Sequence, residues 1–497
     1  MHTGAPKANM FRMVQEVQWR TRFHLKKSLH LLIMKKLLFP LIAILTTNLL
    51  FAQTDNYKIA IDNFQAHYNA GKFDEIFDSF SPEMKQALPL ENTREFLTGL
   101  KGQFGIIESK EFISYEQGTY AAFKTKFEKA VLSVNISLDN ENQINGMFIK
   151  PYEEPKESTD VTVNALSNYP DNIAQIIFTK TRDLPDNAQL SIAVIRDGIT
   201  DYYGIIKSND SIKPVNNQDK CFEIGSITKV FTSTILASLV KEKKIKLTDG
   251  INTYFPFTFK DNITIHLENL ANHTSGLPRL PENLDLSNMM DPYKDYGTKE
   301  MEEYLKELLH LENEPSTTFA YSNLGAGLLG YTLGLSQKTS YQKLLQKRIF
   351  HKYNMTNSFT SSLNPGSRLV KGLDPNGEPV SNWEFDVLCG AGGIVSTTED
   401  LSKFAKAQFD PKNKELALTR KSTFQINEDM AIGLGWHIIK AGDGENVYWH
   451  NGGTGGYSSS MAVDVQKKTA VIILSNVYNI NDNIDGLCFE LMNEMIQ

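Results

Sequence analysis

Strand-forming runs lie at both ends of the segment from residue 171 to residue 497, and helix-forming segments fill its middle. At the first end, two apolar runs flank Asp197-Gly198, which predicts a β-hairpin over 190–206. The predicted helices of the middle are 227–243, 299–311 and 337–350, and the closing elements are strands at 446–451, 458–465 and 469–475 and a helix at 482–496. This order predicts an α/β sandwich, with an antiparallel sheet built from both ends of the segment and a helical insert.

A smaller unit is predicted in front of this sandwich, over residues 53–152. A helical pattern opens at Tyr57 and stops near Gly71. Two shorter helical pieces and four β-rich runs follow, at 82–88, 91–100, 106–113, 120–127, 130–138 and 144–149. Helices followed by an antiparallel meander predict a small α+β fold. The pattern resembles the NTF2-like domains found in front of some secreted bacterial enzymes.

The small unit contains no catalytic constellation, so we interpret it as a spacer or a dimerisation surface. The alternative is that it binds a ligand for the larger domain. Residues 153–170 are polar and contain prolines, which is typical of a linker.

The chain contains an export signal pattern near its N-terminus. Met34-Lys35-Lys36 precedes the uncharged run 37–51, and the small residue Ala52 closes that run. A basic start, a short apolar core and a small final residue predict a cleaved signal peptide over 34–52, and hence a periplasmic or secreted bacterial protein. An N-terminal membrane anchor is the alternative. We expect translation to begin at Met34 and residues 1–33 to be an over-extended gene model.

Composition argues against several classes of function. The formal net charge is −7 and no basic patch is evident, so nucleic acid is not an expected partner. None of Cys221, Cys389 and Cys488 lies in a CxxC pair, and no HExxH occurs, so neither a metal nor another cofactor is expected. The absence of GxSxG disfavours an α/β-hydrolase.

Ser226-Ile227-Thr228-Lys229 opens a long apolar helix. The i, i+3 spacing places the serine and the lysine on one helix face, one turn apart. A lysine amine with a lowered pKa can take the proton of a serine hydroxyl, and the free N–H groups of a helical first turn suit an oxyanion. Two more SxxK patterns occur, Ser238…Lys241 and Ser340…Lys343, so the motif alone is weak evidence.

Two further motifs complete a possible site. Tyr321-Ser322-Asn323 is predicted to lie on a loop. A tyrosine whose pKa is depressed by a nearby lysine can act as a general base. Asn323 can bind substrate or Lys229. His450-Asn451-Gly452-Gly453 ends a β run, and its adjacent glycines let the strand edge approach a substrate closely.

In this order, SxxK, YxN and HxG resemble the serine β-lactamase and penicillin-binding-protein superfamily, on its class C-like and esterase-like side. Three other stretches agree with that family, 272–278, 390–397 and 433–436. The resemblance covers about 171–497 and implies the β-lactamase/transpeptidase-like fold.

The resemblance also implies a role for each motif residue. Ser226 is acylated, Lys229 and Tyr321 form a proton relay, and Asn323 positions substrate and Lys229. On the opposite wall lie His450 and Gly452, and the Ser226 and Gly453 N–H groups hold the oxyanion. The expected partner is a small ester, amide or peptide.

One departure from the family pattern bears on the substrate. No Lys-Thr-Gly or Lys-Ser-Gly occurs, and His450 is neutral for much of the time near pH 7. Esters, amides or D-amino-acid peptides are therefore favoured over β-lactams. A β-lactamase, a penicillin-binding D-Ala-D-Ala carboxypeptidase and a non-catalytic binding module stay as alternatives, as does a separate glutamate base at Glu268. The sequence does not indicate an oligomeric state.

Overall fold

The computed structural model describes residues 56–116, 120–139, 141–152, 162–285, 291–441 and 444–495. The chain divides into two compact units, with the division between residues 158 and 159. No helix among these residues is long and apolar enough to cross a membrane. The predicted signal peptide, 34–52, lies outside them.

Within the described residues, the first unit combines four helices with a four-stranded antiparallel meander. The helices are α1 (56–70), α2 (Phe73–Asp78), α3 (Pro82–Ala87) and α4 (Leu90–Phe104). The strands are β1 (Ile107–Glu116), β2 (Tyr120–Phe127), β3 (Val131–Leu138) and β4 (Ile144–Pro151), paired in that order. The predicted α+β fold is confirmed. Helix α2 was not predicted because its six residues are too few for a helical period to show.

The second unit begins with β5 (Val163–Asn164), which pairs with β9, so its ordered structure starts before residue 171. Its first half continues with α5 (Asp171–Thr181), β6 (Gln189–Arg196), β7 (Ile199–Tyr202), β8 (Ile205–Ser208), β9 (Ser211–Pro214), β10 (Phe222–Glu223), α6 (Thr228–Lys241), α7 (Leu267–Ala271) and α8 (Thr298–Glu303). Its second half contains α9 (Asn323–Ser336), α10 (Tyr341–Leu345), α11 (Cys389–Gly392), β11 (Val395–Ser396), α12 (Thr398–Gln408), α13 (Lys414–Thr419), β12 (Phe424–Gln425), β13 (Met430–Ile432), β14 (His437–Lys440), β15 (Asn446–Gly453), β16 (Ser458–Asp464), β17 (Thr469–Ser475) and α14 (Asn481–Glu494).

The large sheet of this unit joins both ends of the segment, as predicted. Its order is β12-β13-β14-β15-β16-β17-β6-β8-β9-β5, and β7 also pairs with β6. The junction is antiparallel, with Ile472 opposite Ala193. Alternate residues of these strands enter different apolar clusters: Ile472 belongs to the cluster that contains residues of α12, and Ile473 to the cluster that contains residues of α14. The sheet is therefore buried on both faces, which accounts for its nearly continuous apolar strands.

Two predicted elements differ from the structure in detail. The second arm of the hairpin is broken at Tyr203-Gly204, and β7 and β8 pair with different parts of β6. The helix predicted at 337–350 begins only at Tyr341, because Lys338 has a φ of 53° and Ser340 caps α10 by accepting the Lys343 N–H.

Helix α9 packs against α11 through small residues. A Cβ atom on Gly327 would lie 2.8 Å from the Cα atom of Leu388, at the start of α11. On its other side α11 is bound to α6, where the Thr232 hydroxyl donates to the Gly390 carbonyl at 2.8 Å. The close approach of α9 therefore fixes the backbone of α11 relative to α6.

We expect Gly327→Ala to lower the free energy of unfolding of the second unit by about 1–3 kcal/mol, because the added methyl group forces α9 and α11 apart. Gly99→Ala is the matched control: it is also a helical glycine, but its Cβ would meet nothing within 4 Å. This variant should gain up to about 1 kcal/mol from helix propensity. Urea unfolding measures the free energy of unfolding of each variant. An equal increase of this free energy in Gly327→Ala and Gly99→Ala would contradict the packing argument.

Candidate active site

The segment Gly225–Ile227 forms a 3₁₀ turn that leads into α6. Gly225 has a φ of 49°, a backbone conformation that glycine adopts readily. Ser226, within this turn, is partly exposed, whereas Lys229 is only 2% exposed. The Lys229 Nζ atom lies 2.9 Å from the Ser226 Oγ atom. The predicted nucleophile and its base are therefore in hydrogen-bond contact.

Two further oxygen atoms surround the Lys229 amine. Its Nζ atom donates to the Asn323 Oδ1 atom at 2.9 Å and to the Ala391 carbonyl oxygen at 2.7 Å. Burial, assisted by the charge of Arg279, holds the pKa of Lys229 well below its ordinary value. A neutral amine has two N–H groups and one lone pair. Since an amide oxygen and a carbonyl oxygen can only accept, the lone pair is left for the Ser226 hydroxyl.

Tyr321 lies just before α9, on a loop that the Ser322 side chain fixes by accepting the Gly325 N–H at 2.8 Å. The Tyr321 hydroxyl hydrogen-bonds Ser226. Burial raises the pKa of Tyr321 to about 12, although this hydrogen bond and the charge of Arg279 act in the opposite direction. The net shift is upward, so the expected depression of this pKa by Lys229 is not found; burial is the dominant cause.

His450 lies within β15, three residues before the strand ends at Gly453, and is 1% exposed. Burial, followed by the neighbouring His437 and Lys229, holds the pKa of His450 well below its ordinary value. The His450 ring centroid is 6.4 Å from that of Tyr321 and 5.3 Å from that of His437. His450 therefore presents a neutral imidazole beside the tyrosine.

The glycines after His450 bring the edge of β15 against the serine turn. A Cβ atom on Gly452 would lie 2.7 Å from the Ser226 amide nitrogen, and a Cβ atom on Gly225 would lie 2.6 Å from the Gly453 amide nitrogen. Neither position has room for a side chain. The Ser226 and Gly453 amides, predicted as the oxyanion donors, belong to two backbones in close contact.

Sequence reasoning missed three residues of this site. Ala391 binds Lys229 through its backbone, and its only sequence signal is the glycine-rich stretch around it. The His273 ring centroid lies 4.4 Å from that of Tyr321, and Tyr293 accepts the Asn323 amide at 3.1 Å. His273 belongs to the Asn272–Pro278 stretch noted in the sequence, and Tyr293 had no signal.

The other two SxxK serines have structural roles. Ser340 caps α10, and Ser238 donates to the Ile235 carbonyl at 3.0 Å and accepts from Arg348 at 3.0 Å. Within the described residues, neither the Ser238 nor the Ser340 side chain forms a hydrogen bond with the side chain of the lysine three residues later. Of the three patterns, Ser226…Lys229 alone has a side-chain contact of this kind within the described chain.

Glu223, in β10, is a buried carboxyl group three residues before Ser226. It accepts from the Asn382 side chain at 2.6 Å and from the Trp383 amide at 3.1 Å. Burial raises the pKa of Glu223 to about 7, against the effect of these hydrogen bonds. Glu223 and Trp383 also line a cavity of about 130 Å³.

Two family models match the chain. Residues 180–483 match the family described as beta-lactamase, and residues 62–147 match a protein family of unknown function, DUF3887. A beta-lactamase of Pseudomonas fluorescens is 27% identical over 332 residues, which are 59% of this chain and 89% of that protein. The D-alanyl-D-alanine-carboxypeptidase/endopeptidase AmpH of Escherichia coli (strain K12) is 26% identical over 317 residues, 58% of this chain and 80% of that protein.

Solved structures show the same fold. A beta-lactamase/D-alanine carboxypeptidase from Pseudomonas syringae superposes with a TM-score of 0.54 at 22% identity, covering 65% of this chain and 98% of that one. A class C beta lactamase from Rhodobacter sphaeroides gives a TM-score of 0.55 at 19% identity, covering 66% of this chain and all of that one. The predicted β-lactamase/transpeptidase-like fold is confirmed.

We expect Glu223→Gln to change how stability depends on pH. The folded pKa of about 7 exceeds the ordinary carboxyl value, so the folded chain holds this proton more tightly than the unfolded chain. Glu223 therefore favours folding below about pH 4.5, and this contribution is lost as pH rises to 7, by about 3 kcal/mol. Urea unfolding at pH 5 and at pH 8 measures how far the free energy of unfolding falls between the two pH values. The fall should be smaller in Glu223→Gln than in the wild-type protein. Equal falls in the two proteins would contradict the raised pKa of Glu223.

Proposed function

We propose, from the premise that the chain belongs to the beta-lactamase family of serine hydrolases, that it cleaves small esters, amides or D-amino-acid peptides through an acyl-enzyme on Ser226. One observation carries the proposal: the 2.9 Å contact between the Ser226 hydroxyl and a buried Lys229 amine whose pKa is strongly lowered. This pair supplies both an activated nucleophile and an acceptor for its proton.

In the acylation step the Ser226 oxygen bonds to the substrate carbonyl carbon while its proton moves to the Lys229 lone pair. The carbonyl oxygen becomes negative and is held by the Ser226 and Gly453 N–H groups. Tyr321 stays protonated at neutral pH, because its pKa is raised to about 12. As the carbonyl group re-forms, the bond between the carbonyl carbon and the leaving group breaks. Tyr321 protonates the leaving group and recovers a proton from Lys229.

Deacylation uses the same groups in reverse order. Water attacks the acyl carbon and gives its proton to the Lys229–Tyr321 pair, and the Ser226 oxygen leaves as a hydroxyl group. Asn323 holds the lysine through both steps, because its amide oxygen accepts from Nζ while its amide nitrogen donates to Tyr293.

The neutral His450 supports the preference for substrates other than β-lactams, since no fixed charge is present at that point of the wall. The names of the relatives, a beta-lactamase and a carboxypeptidase, favour a second candidate: a β-lactamase or a D-Ala-D-Ala carboxypeptidase. We also assign export through residues 34–52 and a spacer or dimerisation role to the unit at 53–152.

Intact-mass analysis of the protein with benzylpenicillin or a phenyl ester should show one acyl adduct that is lost in Ser226→Ala. Ser238→Ala and Ser340→Ala are matched controls, because each lies in an SxxK pattern without the lysine contact, and both should be acylated normally. An adduct that persists in Ser226→Ala refutes the nucleophile assignment. A stable adduct without turnover would instead indicate a binding module.

The rate of acylation should rise with pH as Lys229 loses its proton. Because burial and then Arg279 lower the pKa of Lys229, we expect the half-maximal rate well below pH 10.5, the ordinary lysine value. Stopped-flow measurement of acylation between pH 5 and pH 10 tests this, and Lys229→Ala should lower the plateau by about 10²- to 10⁴-fold. A half-maximal rate near the ordinary lysine value would contradict a neutral base.

A further inference from the structure

Arg279 follows the Asn272–Pro278 stretch and is fixed to the start of α9. Its backbone carbonyl accepts the Asn323 N–H at 2.9 Å and the Leu324 N–H at 3.1 Å. The same helix start carries Asn323, which binds Lys229. The position of Arg279 is therefore tied directly to the catalytic lysine.

The Arg279 guanidinium lies beside Tyr321, with its Cζ atom 5.2 Å from the centre of the tyrosine ring. The side chain is partly exposed. It makes no ion pair or hydrogen bond with any other residue that the structure describes, in contrast to Arg94 and Arg348, which each bind a carboxylate.

Burial disfavours the charged form of three other basic side chains of the described site. Burial first, and then nearby basic groups, lower the pKa values of Lys229, His273 and His450 well below their ordinary values. The charge of Arg279 contributes to the low pKa of Lys229 and of His273, which shows that its field reaches the reacting groups.

An arginine held over an aromatic ring presents its N–H groups in a planar fork that matches a carboxylate. A carboxylate that met Arg279 would bind a cation without first breaking an ion pair in the protein. The contact would lie beside Tyr321.

We propose that Arg279 is a specificity-determining residue whose guanidinium binds a carboxylate of the substrate. The inference rests on the proposed serine hydrolase function and adds the residue that selects between charged and neutral substrates. Arg279 does not contact the reacting carbonyl carbon, so its effect falls on the choice between substrates that differ only in charge.

Two matched ester pairs test the proposal in the full-length protein: monophenyl succinate with phenyl butyrate, and 3-acetoxybenzoate with 3-acetoxybenzamide. The first pair places the carboxylate on the acyl side and the second on the leaving group. In at least one pair, the ratio of kcat/KM for the charged ester to that for the neutral ester should fall about ten- to hundredfold in Arg279→Gln. Arg279→Lys, which keeps the charge without the fork, should give an intermediate ratio.

The ratio removes effects that Arg279 has on Lys229, because these alter the charged and the neutral ester equally. Lys306→Gln is the control for loss of one positive charge near an aromatic ring elsewhere, since Lys306 lies 4.2 Å from the Phe257 ring centre, and it should leave both ratios unchanged. Ratios in Arg279→Gln within twofold of the wild-type values in both pairs overturn the proposal. Acylation of Ser226 by the neutral esters, measured in parallel, tests the serine hydrolase function separately.

Discussion

The removal of the Lys229 amine from water is the constraint on which the rest of the site depends. A lysine that is 2% exposed persists only if its polar atoms find partners inside the protein. Here the three partners come from three separate parts of the chain: Ser226 from the turn before α6, Asn323 from the start of α9, and the Ala391 carbonyl from α11. Packing of these helices against one another and activation of the serine are therefore consequences of the same arrangement.

Burial gives the site an unusual charge balance. It lowers the pKa values of Lys229 and His450, lowers that of His437 to about 4, and raises that of Tyr321 to about 12. The pKa shifts of Lys229 and Tyr321 have opposite signs but one cause, since burial favours the neutral form of each group. The proposed proton relay therefore joins a lysine whose proton is held less tightly than in water to a tyrosine whose proton is held more tightly.

Much of this molecule could be predicted from its sequence because the signals are local. Apolar runs at 190–206 and 446–475 indicated a sheet built from distant segments, and SxxK, YxN and HxG indicated Ser226, Lys229, Tyr321 and His450. Ala391 could not be predicted, because a backbone carbonyl is the same in every residue type. The direction of the Tyr321 pKa shift depends on burial, and the proposed role of Arg279 depends on its making no ion pair with any residue that the structure describes. Both are properties of the packed structure.

The contact between Gly452 and the Ser226 turn has a consequence for the timing of activity. Ser226 lies near the middle of the chain, whereas β15, which forms the opposite wall, is followed within the sheet only by β16 and β17. Strand β6, from the first part of the unit, pairs with β17, so it lacks this partner until β17 has been synthesised. A chain still emerging from the ribosome therefore has its serine before it has the Gly453 amide, the second proposed oxyanion donor. Under the proposed function, the long sequence separation of the two halves keeps the nucleophile inert until synthesis and folding are almost complete.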